Sequence, residues 1–193
     1  MYIYKQTSDS ELIKLFSEGN VNAFEELTLR YKDKIYSSIF YLVKDKYLAE
    51  DIFQDVFYKI IDTIHSKKYN DEGKFVSWAM RIAHNMCVDH FRKIKRKPVI
   101  HTGDGLNVFD WIQVSNDNME EKIIRSQSHD RITSLLSQLP DEQKEVIILR
   151  HFADLSFKEI AELTNCSINT ALGRMRYGLI NLRKLMTEKQ IAI

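Results

Sequence analysis

Residues Leu155 to Lys184, LSFKEIAELTNCSINTALGRMRYGLINLRK, read as two short amphipathic helices joined by a tight turn. In the first, Phe157, Ile160, Ala161 and Leu163 share one side, with Lys158, Glu159 and Glu162 on the other. The small Ala161 lets two helices cross closely. Asn165 stands at the turn, and after glycine asparagine tolerates a positive φ best. Ser167 then offers a hydroxyl to cap the second helix. At about 100° per residue, Ala171, Leu172, Met175, Leu179 and Leu182 are expected to form one inward stripe. Asn169, Thr170, Gly173, Arg174 and Tyr177 are expected on the opposite side, where amide, hydroxyl, guanidinium and phenol groups suit base edges and phosphates. Turn residue, cap and outward polarity agree on a helix-turn-helix whose second helix enters the DNA major groove. An ordinary hairpin with a solvated basic face would require none of the three together.

Working outward, the charge of the chain is segregated rather than scarce. The 193 residues carry a net charge of +1, which excludes a polycation that simply coats nucleic acid. From Lys74 to Lys97, seven basic side chains face the single acid Asp89. From Pro98 to Glu121 there is no Lys or Arg, while Asp104, Asp110, Asp117, Glu120 and Glu121 are acidic. Basic character returns at Arg174, Arg176, Arg183 and Lys184. Two basic modules flanking an acidic connector suit contacts with nucleic acid at two separate places. Two prolines and six glycines favour long helices over a strand-and-turn fold. The start MYIYKQTSDS lacks the basic and apolar segments of a signal peptide, no apolar run is long enough to span a membrane, and Cys87 and Cys166 lack ligand spacing. A soluble protein of the reducing cytoplasm is expected.

The N-terminal half reads as a helical bundle. One helix is expected from Ser8 or Asp9 to about Gly19, and a second from about Asn22 through Tyr41, burying Phe24, Leu27, Ile35 and Ile39. A third follows the charged turn Lys44-Asp45-Lys46 and extends to about His65. Its Leu48, Ile52, Val56, Ile60 and Ile64 recur every four residues as an inward stripe, and Asp51, Gln54, Asp55 and Tyr58 share another side. The spacing predicts a fourth helix over about Lys74 to Lys97. On it Arg81, Asn85, Asp89, Arg92 and Arg96 fall within about 60° of Trp78, apart from an apolar side of Val76, Ala79, Ala83, Met86 and Ile94. An aromatic ring among guanidinium and amide groups can stack on a base while the cations neutralise phosphates. The polar loop SKKYNDEG, Ser66 to Gly73, lies beside it and could hold an extruded base. A core position for Trp78 over a merely solubilising basic face is the competing reading.

In this order the segments resemble a bacterial RNA polymerase sigma factor of the small, extracytoplasmic-function class. AFEELTLRYKDKIYSSIF resembles the opening of conserved region two, AEDIFQDVFYKI its polymerase-binding segment and FVSWAMRIAHNMCVDHFRK its promoter-melting segment. LPDEQKEVIILRHFADLSFKEIAELTNCSINTALGRMRYGLINLRK resembles region four. The resemblance implies an all-α chain of two small helical domains joined by a flexible connector: residues 1–97 as region two, 98–119 as an acidic linker and 120–193 as region four, with Ile123 to Leu139 its first helix. It implies that Asp51, Gln54, Asp55 and Tyr58 dock on the clamp helices of the largest polymerase subunit. Lys68, Tyr69, Asn70, Phe75, Trp78, Arg81, Asn85 and Arg92 are implied to melt and read the minus-ten element. Ser167, Asn169, Thr170, Gly173, Arg174, Arg176 and Tyr177 are implied to read the minus-thirty-five element. Core RNA polymerase, including the flap of its second-largest subunit, and promoter DNA are the implied partners, with an anti-sigma protein as a further one and no membrane.

Departures from the family pattern stand at Asn165, in place of the common turn glycine, and at Ala171, in place of a larger β-branched residue. Neither breaks the helix-turn-helix, but base preferences do not transfer across them. His84, Cys87 and His90 spread over about 120° of a helix, too wide for one metal ion without other ligands. With no phosphate-binding glycine loop, nucleophile elbow or paired catalytic carboxylates, neither an enzyme nor a bound cofactor or metal is expected. The rival to the sigma reading is a stand-alone helix-turn-helix regulator, which would bind its DNA tightly without polymerase.

Overall fold

The computed structural model describes residues 4–96 and 131–189; the acidic linker and the first part of the helix expected from Ile123 lie outside the described residues. Every regular element among the described residues is helical. The first group comprises α1 (Asp9–Ser17), α2 (Val21–Val43), α3 (Lys46–His65) and α4 (Phe75–Arg96). The second comprises α5 (131–137), α6 (Asp141–His151), α7 (Phe157–Leu163) and α8 (Ile168–Glu188).

Local chemistry sets these boundaries. Ser8, Asn20 and Asp45 each accept a backbone N–H in the first turn of α1, α2 and α3, replacing partners the helix itself cannot supply. Gly19, at φ +100°, ends the segment after α1, and Lys44, at φ +59°, closes α2 in the left-handed region. The α3 stripe is buried as its four-residue spacing requires, with Ile52, Val56, Ile60 and Ile64 in the core and Leu48 packed at its edge.

The two groups of helices share their apolar interior. Val146, Leu149, Ala153, Leu155 and Ile160 belong to the same buried cluster as the cores of α1 to α4. Tyr41, near the end of α2, is buried against Leu136, Leu139, Ile147 and Ile148, and its ring lies 4.4 Å from that of Phe152. Burial pushes the Tyr41 phenol up to about 12, so it stays protonated throughout the ordinary range.

The buried face of α8 differs from the expected stripe. Ala171 and Gly178 are buried, and Met175, Leu182 and Leu185 pack against the cores, while Leu172 and Leu179 are exposed. Taking Ala171 as reference, Met175, Gly178, Leu182 and Leu185 fall within about 40°, whereas Leu172 and Leu179 lie about 80–100° away. The leucines' hydrophobicity suggested the wrong axis; the side that can approach α6 is the one where Gly178 has no side chain. A Cβ built on Gly178 would come 2.8 Å from Ile147 Cδ1 and 3.3 Å from Gln143 Cβ, and one on Gly173 would meet nothing within 4 Å. Gly173→Ala is therefore expected to raise stability by about 1 kcal/mol through helix propensity. Gly178→Ala should gain less, because Ile147 and Gln143 must give way to the added methyl, and thermal unfolding followed by circular dichroism ranks the two variants.

Candidate nucleic-acid interface

The helix-turn-helix is built by its own side chains. Ser156 and Glu159 form a reciprocal capping box at the start of α7. The chain turns at Asn165, whose φ of +51° is the left-handed conformation a β-branched residue would resist. Ser167 then accepts the Thr170 amide at 3.0 Å and shares a 2.8 Å hydroxyl contact with Thr170. Ser167, Asn169, Thr170, Arg176 and Tyr177 are exposed, and Gly173 and Arg174 are half-buried. Asn169, Gly173 and Arg176 fall along one line, flanked by Thr170 and Tyr177, with Arg174 about 140° round from Asn169.

A second polar surface surrounds the loop between α3 and α4. Lys68, Tyr69, Asn70, Trp78 and Arg81 border one cleft of about 650 Å³. Trp78 is half-buried, its ring 4.4 Å from Tyr69 and 5.9 Å from Phe75. It is thus both a core-edge residue and part of the cleft wall, between the two alternatives the sequence left open. Phase along the helix does not determine depth, and Phe75 corrects its own assignment: only 2% exposed, it packs under Tyr69, Trp78 and Tyr31 and presents no ring to a nucleic acid. Asn85 and Arg92 lie exposed farther along α4. Asp51, Gln54, Asp55 and Tyr58 are all exposed on α3, with Tyr58 at 70%.

The other side of the cleft is α7. Ser156, Lys158, Glu159 and Glu162 complete its wall, and Glu162 pairs with Arg81 at 3.3 Å. Burial pushes the Glu159 carboxyl upward, but hydrogen bonds from Ser156 and Ser77 and the charge of Lys74 outweigh it, leaving the group below the usual carboxylate range. Lys34 and Asp154 pair nearer α2, and the lysine's hydrogen bond lowers the Asp154 carboxyl. Deepest is His84, 4% exposed, whose Nε2 sits 2.7 Å from Glu145 Oε1. A carboxylate accepts here, so Nε2 carries the proton, while Nδ1 has no hydrogen-bond partner among the described residues. Cys87, one helical turn on, is buried, and burial pushes its thiol up to about 12. None of these pairs was foreseen, because partners 61 to 120 residues apart leave no local pattern. The Ser156–Glu159 capping box has a local signature, Ser-x-x-Glu, that could have been found in the sequence, whereas the approach of Ser77 has none.

Residues 27–97 match the family model of sigma-70 region 2, and residues 129–172 that of sigma-70 region 4. The chain is 30% identical over 182 residues to the ECF RNA polymerase sigma factor SigW of Bacillus subtilis, covering 91% of this chain and 95% of the relative. The chain belongs to the ECF sigma factors of the sigma-70 family. The RNA polymerase sigma-H factor of Pseudomonas aeruginosa is 26% identical, covering 88% of this sigma factor and 89% of that one. In fold, the sigma factor resembles CnrH, solved in complex with the cytosolic domain of CnrY, at a TM-score of 0.67, with 20% identity and coverage of 93% and 97%. It also resembles RpoE of Bartonella quintana, solved with the anti-sigma factor NepR, at a TM-score of 0.63, with 18% identity and coverage of 85% and 96%. Its role is therefore that of a transcription initiation factor. Among the described residues no helix is long and apolar enough to cross a membrane.

The contacts between the helix groups differ in their expected energetic weight. Glu145→Ala leaves the His84 Nε2–H buried without its acceptor and should lower stability by about 1–3 kcal/mol. Glu162→Ala breaks an exposed pair and should cost under about 1 kcal/mol. Urea unfolding of the two variants checks the order.

Proposed function

We propose that this sigma factor binds core RNA polymerase and directs it to promoters through two separate DNA-reading surfaces, assisting strand opening at one of them. The supporting observation is the division of labour among exposed side chains: an acidic and amide face on α3, an aromatic and cationic cleft beside α4, and a polar face on α8. In this reading Asp51, Gln54, Asp55 and Tyr58 meet the clamp helices of the largest subunit, where acids facing a basic partner set orientation and encounter rate. Lys68, Tyr69, Asn70, Trp78, Arg81, Asn85 and Arg92 engage the minus-ten element, with Trp78 stacking on an unpaired base. Ser167, Asn169, Thr170, Gly173, Arg174, Arg176 and Tyr177 read the minus-thirty-five element in the major groove. Residues 1–97 form the first unit and 120–193 the second, which also meets the polymerase flap. An anti-sigma protein, the kind of partner solved with RpoE, belongs to the same proposal.

The carboxylates of α7 occupy the cationic cleft that the minus-ten strand would need. Promoter engagement in this reading requires α4 and α7 to part, with binding to core polymerase supplying the free energy. In a gel-shift assay against promoter duplex, the free protein should bind poorly and the mixture with core polymerase tightly. The mixture should also initiate transcription from that promoter. Tight, sequence-specific binding without core, unchanged by its addition, would establish the stand-alone regulator instead. Separately, Asp51→Lys combined with Asp55→Lys should abolish capture of core polymerase in a pull-down while circular dichroism stays as in wild type. Full retention of core by the folded double variant removes the docking assignment.

A further inference from the structure

The loop between α3 and α4 is held from an unexpected direction. It is bounded by two residues in the left-handed region, Lys67 at φ +54° and Gly73 at φ +70°. At its centre Asp71 Oδ1 accepts the Gly73 amide at 2.9 Å and the Tyr69 hydroxyl at 3.3 Å. The Tyr69 ring is the one that lies 4.4 Å from Trp78. The Ser10 hydroxyl, in the first turn of α1, stands near the same carboxylate and, opposed by partial burial and joined by the Gly73 amide and the Tyr69 hydroxyl, keeps it below the usual range.

The start of α1 is in turn fixed by α2. Arg30 donates to the Tyr4 carbonyl at 2.6 Å, the Thr7 carbonyl at 2.8 Å and Asp9 Oδ1 at 3.0 Å, and its Nε pairs with Glu26 at 3.0 Å. The Tyr31 hydroxyl bonds to the other Asp9 oxygen, and the Tyr31 ring lies 5.7 Å from Phe75, beneath the same loop. Contacts thus run from α2 to the first turn of α1 and, through Tyr31 and Phe75, to the Tyr69 ring that Asp71 holds beside Trp78.

We propose that Asp71 is the positioning residue of the strand-reading loop, fixing Tyr69 against Trp78. The inference rests on the minus-ten role proposed for Trp78. Asp71 touches no base in this account. It sets the loop before DNA arrives, so that the ordering cost is met in folding rather than at the promoter.

The test uses holoenzyme assembled from the full chain and core polymerase. Its template is a promoter recovered by the wild-type holoenzyme from a randomised library, with single-base variants in each element. Asp71→Ala should reduce discrimination within the minus-ten element about tenfold, inside the range carried by one base pair, and leave the ranking of minus-thirty-five variants unchanged. Asp71→Asn keeps the carbonyl oxygen that Gly73 and Tyr69 use and should restore most of that discrimination. In a Trp111→Phe background, which leaves Trp78 as the remaining tryptophan of the two, acrylamide should quench Trp78 more strongly in Asp71→Ala than in Asp71→Asn. If Trp78→Ala loses minus-ten discrimination and Asp71→Ala keeps it, the positioning role is overturned alone. If Trp78→Ala itself keeps it, the minus-ten reading falls and this inference with it. Equal losses at both elements would mark Asp71 as merely structural.

Discussion

The arrangement of this molecule depends on the burial of His84 against Glu145. The imidazole lies in the interior, and among the described residues its Nε2–H has a single acceptor, supplied by a helix from the other half of the chain. Apolar contact between the halves is extensive and not directional, so it favours association without fixing orientation. A buried donor that must meet one carboxylate restricts how α6 can lie against the first group of helices. With α6 held there, α7 follows through a short connection, and Glu159 and Glu162 come to stand over Ser77 and Arg81.

One consequence is an electrostatic substitution at the cleft. The cations that would neutralise phosphates have carboxylates facing them instead, exposed enough to exchange readily. Each exposed pair contributes little on its own. Their separation is therefore a modest step compared with withdrawal of Tyr41, Leu149 and Ile160 from the shared interior. Whatever parts the halves must replace apolar contact and cannot act by competing for charge alone.

The sequence made some of this legible, and the division follows a physical line. Features determined within one helical turn were readable: the caps at Ser8 and Ser167, the left-handed Asn165 and the four-residue stripe of α3 all depend on near neighbours. Features determined by a distant partner were not. Leu172 and Leu179 are more hydrophobic than Gly178, yet Gly178 faces inward because α6 approaches there and leaves no room for a side chain. Phe75 lies in phase with the reading face near the start of α4 but is drawn under the loop by Tyr31 and Tyr69. His84 looked like one member of an incomplete metal triad because its partner is on another helix. The candidate surfaces were legible as faces; their depth, and the acids standing over one of them, required the third dimension.

Glu159 carries a constraint of a different kind. One carboxylate closes the first turn of its own helix through Ser156 and also stands near Ser77 of the neighbouring half across the cleft. Helix initiation and contact between the halves thereby fall to the same side chain. Selection cannot loosen the grip of α7 at this position without fraying the element that presents the DNA-reading helix. Relatives that evolve a weaker association are therefore expected to make the change at neighbours such as Glu162, whose loss leaves the turn intact.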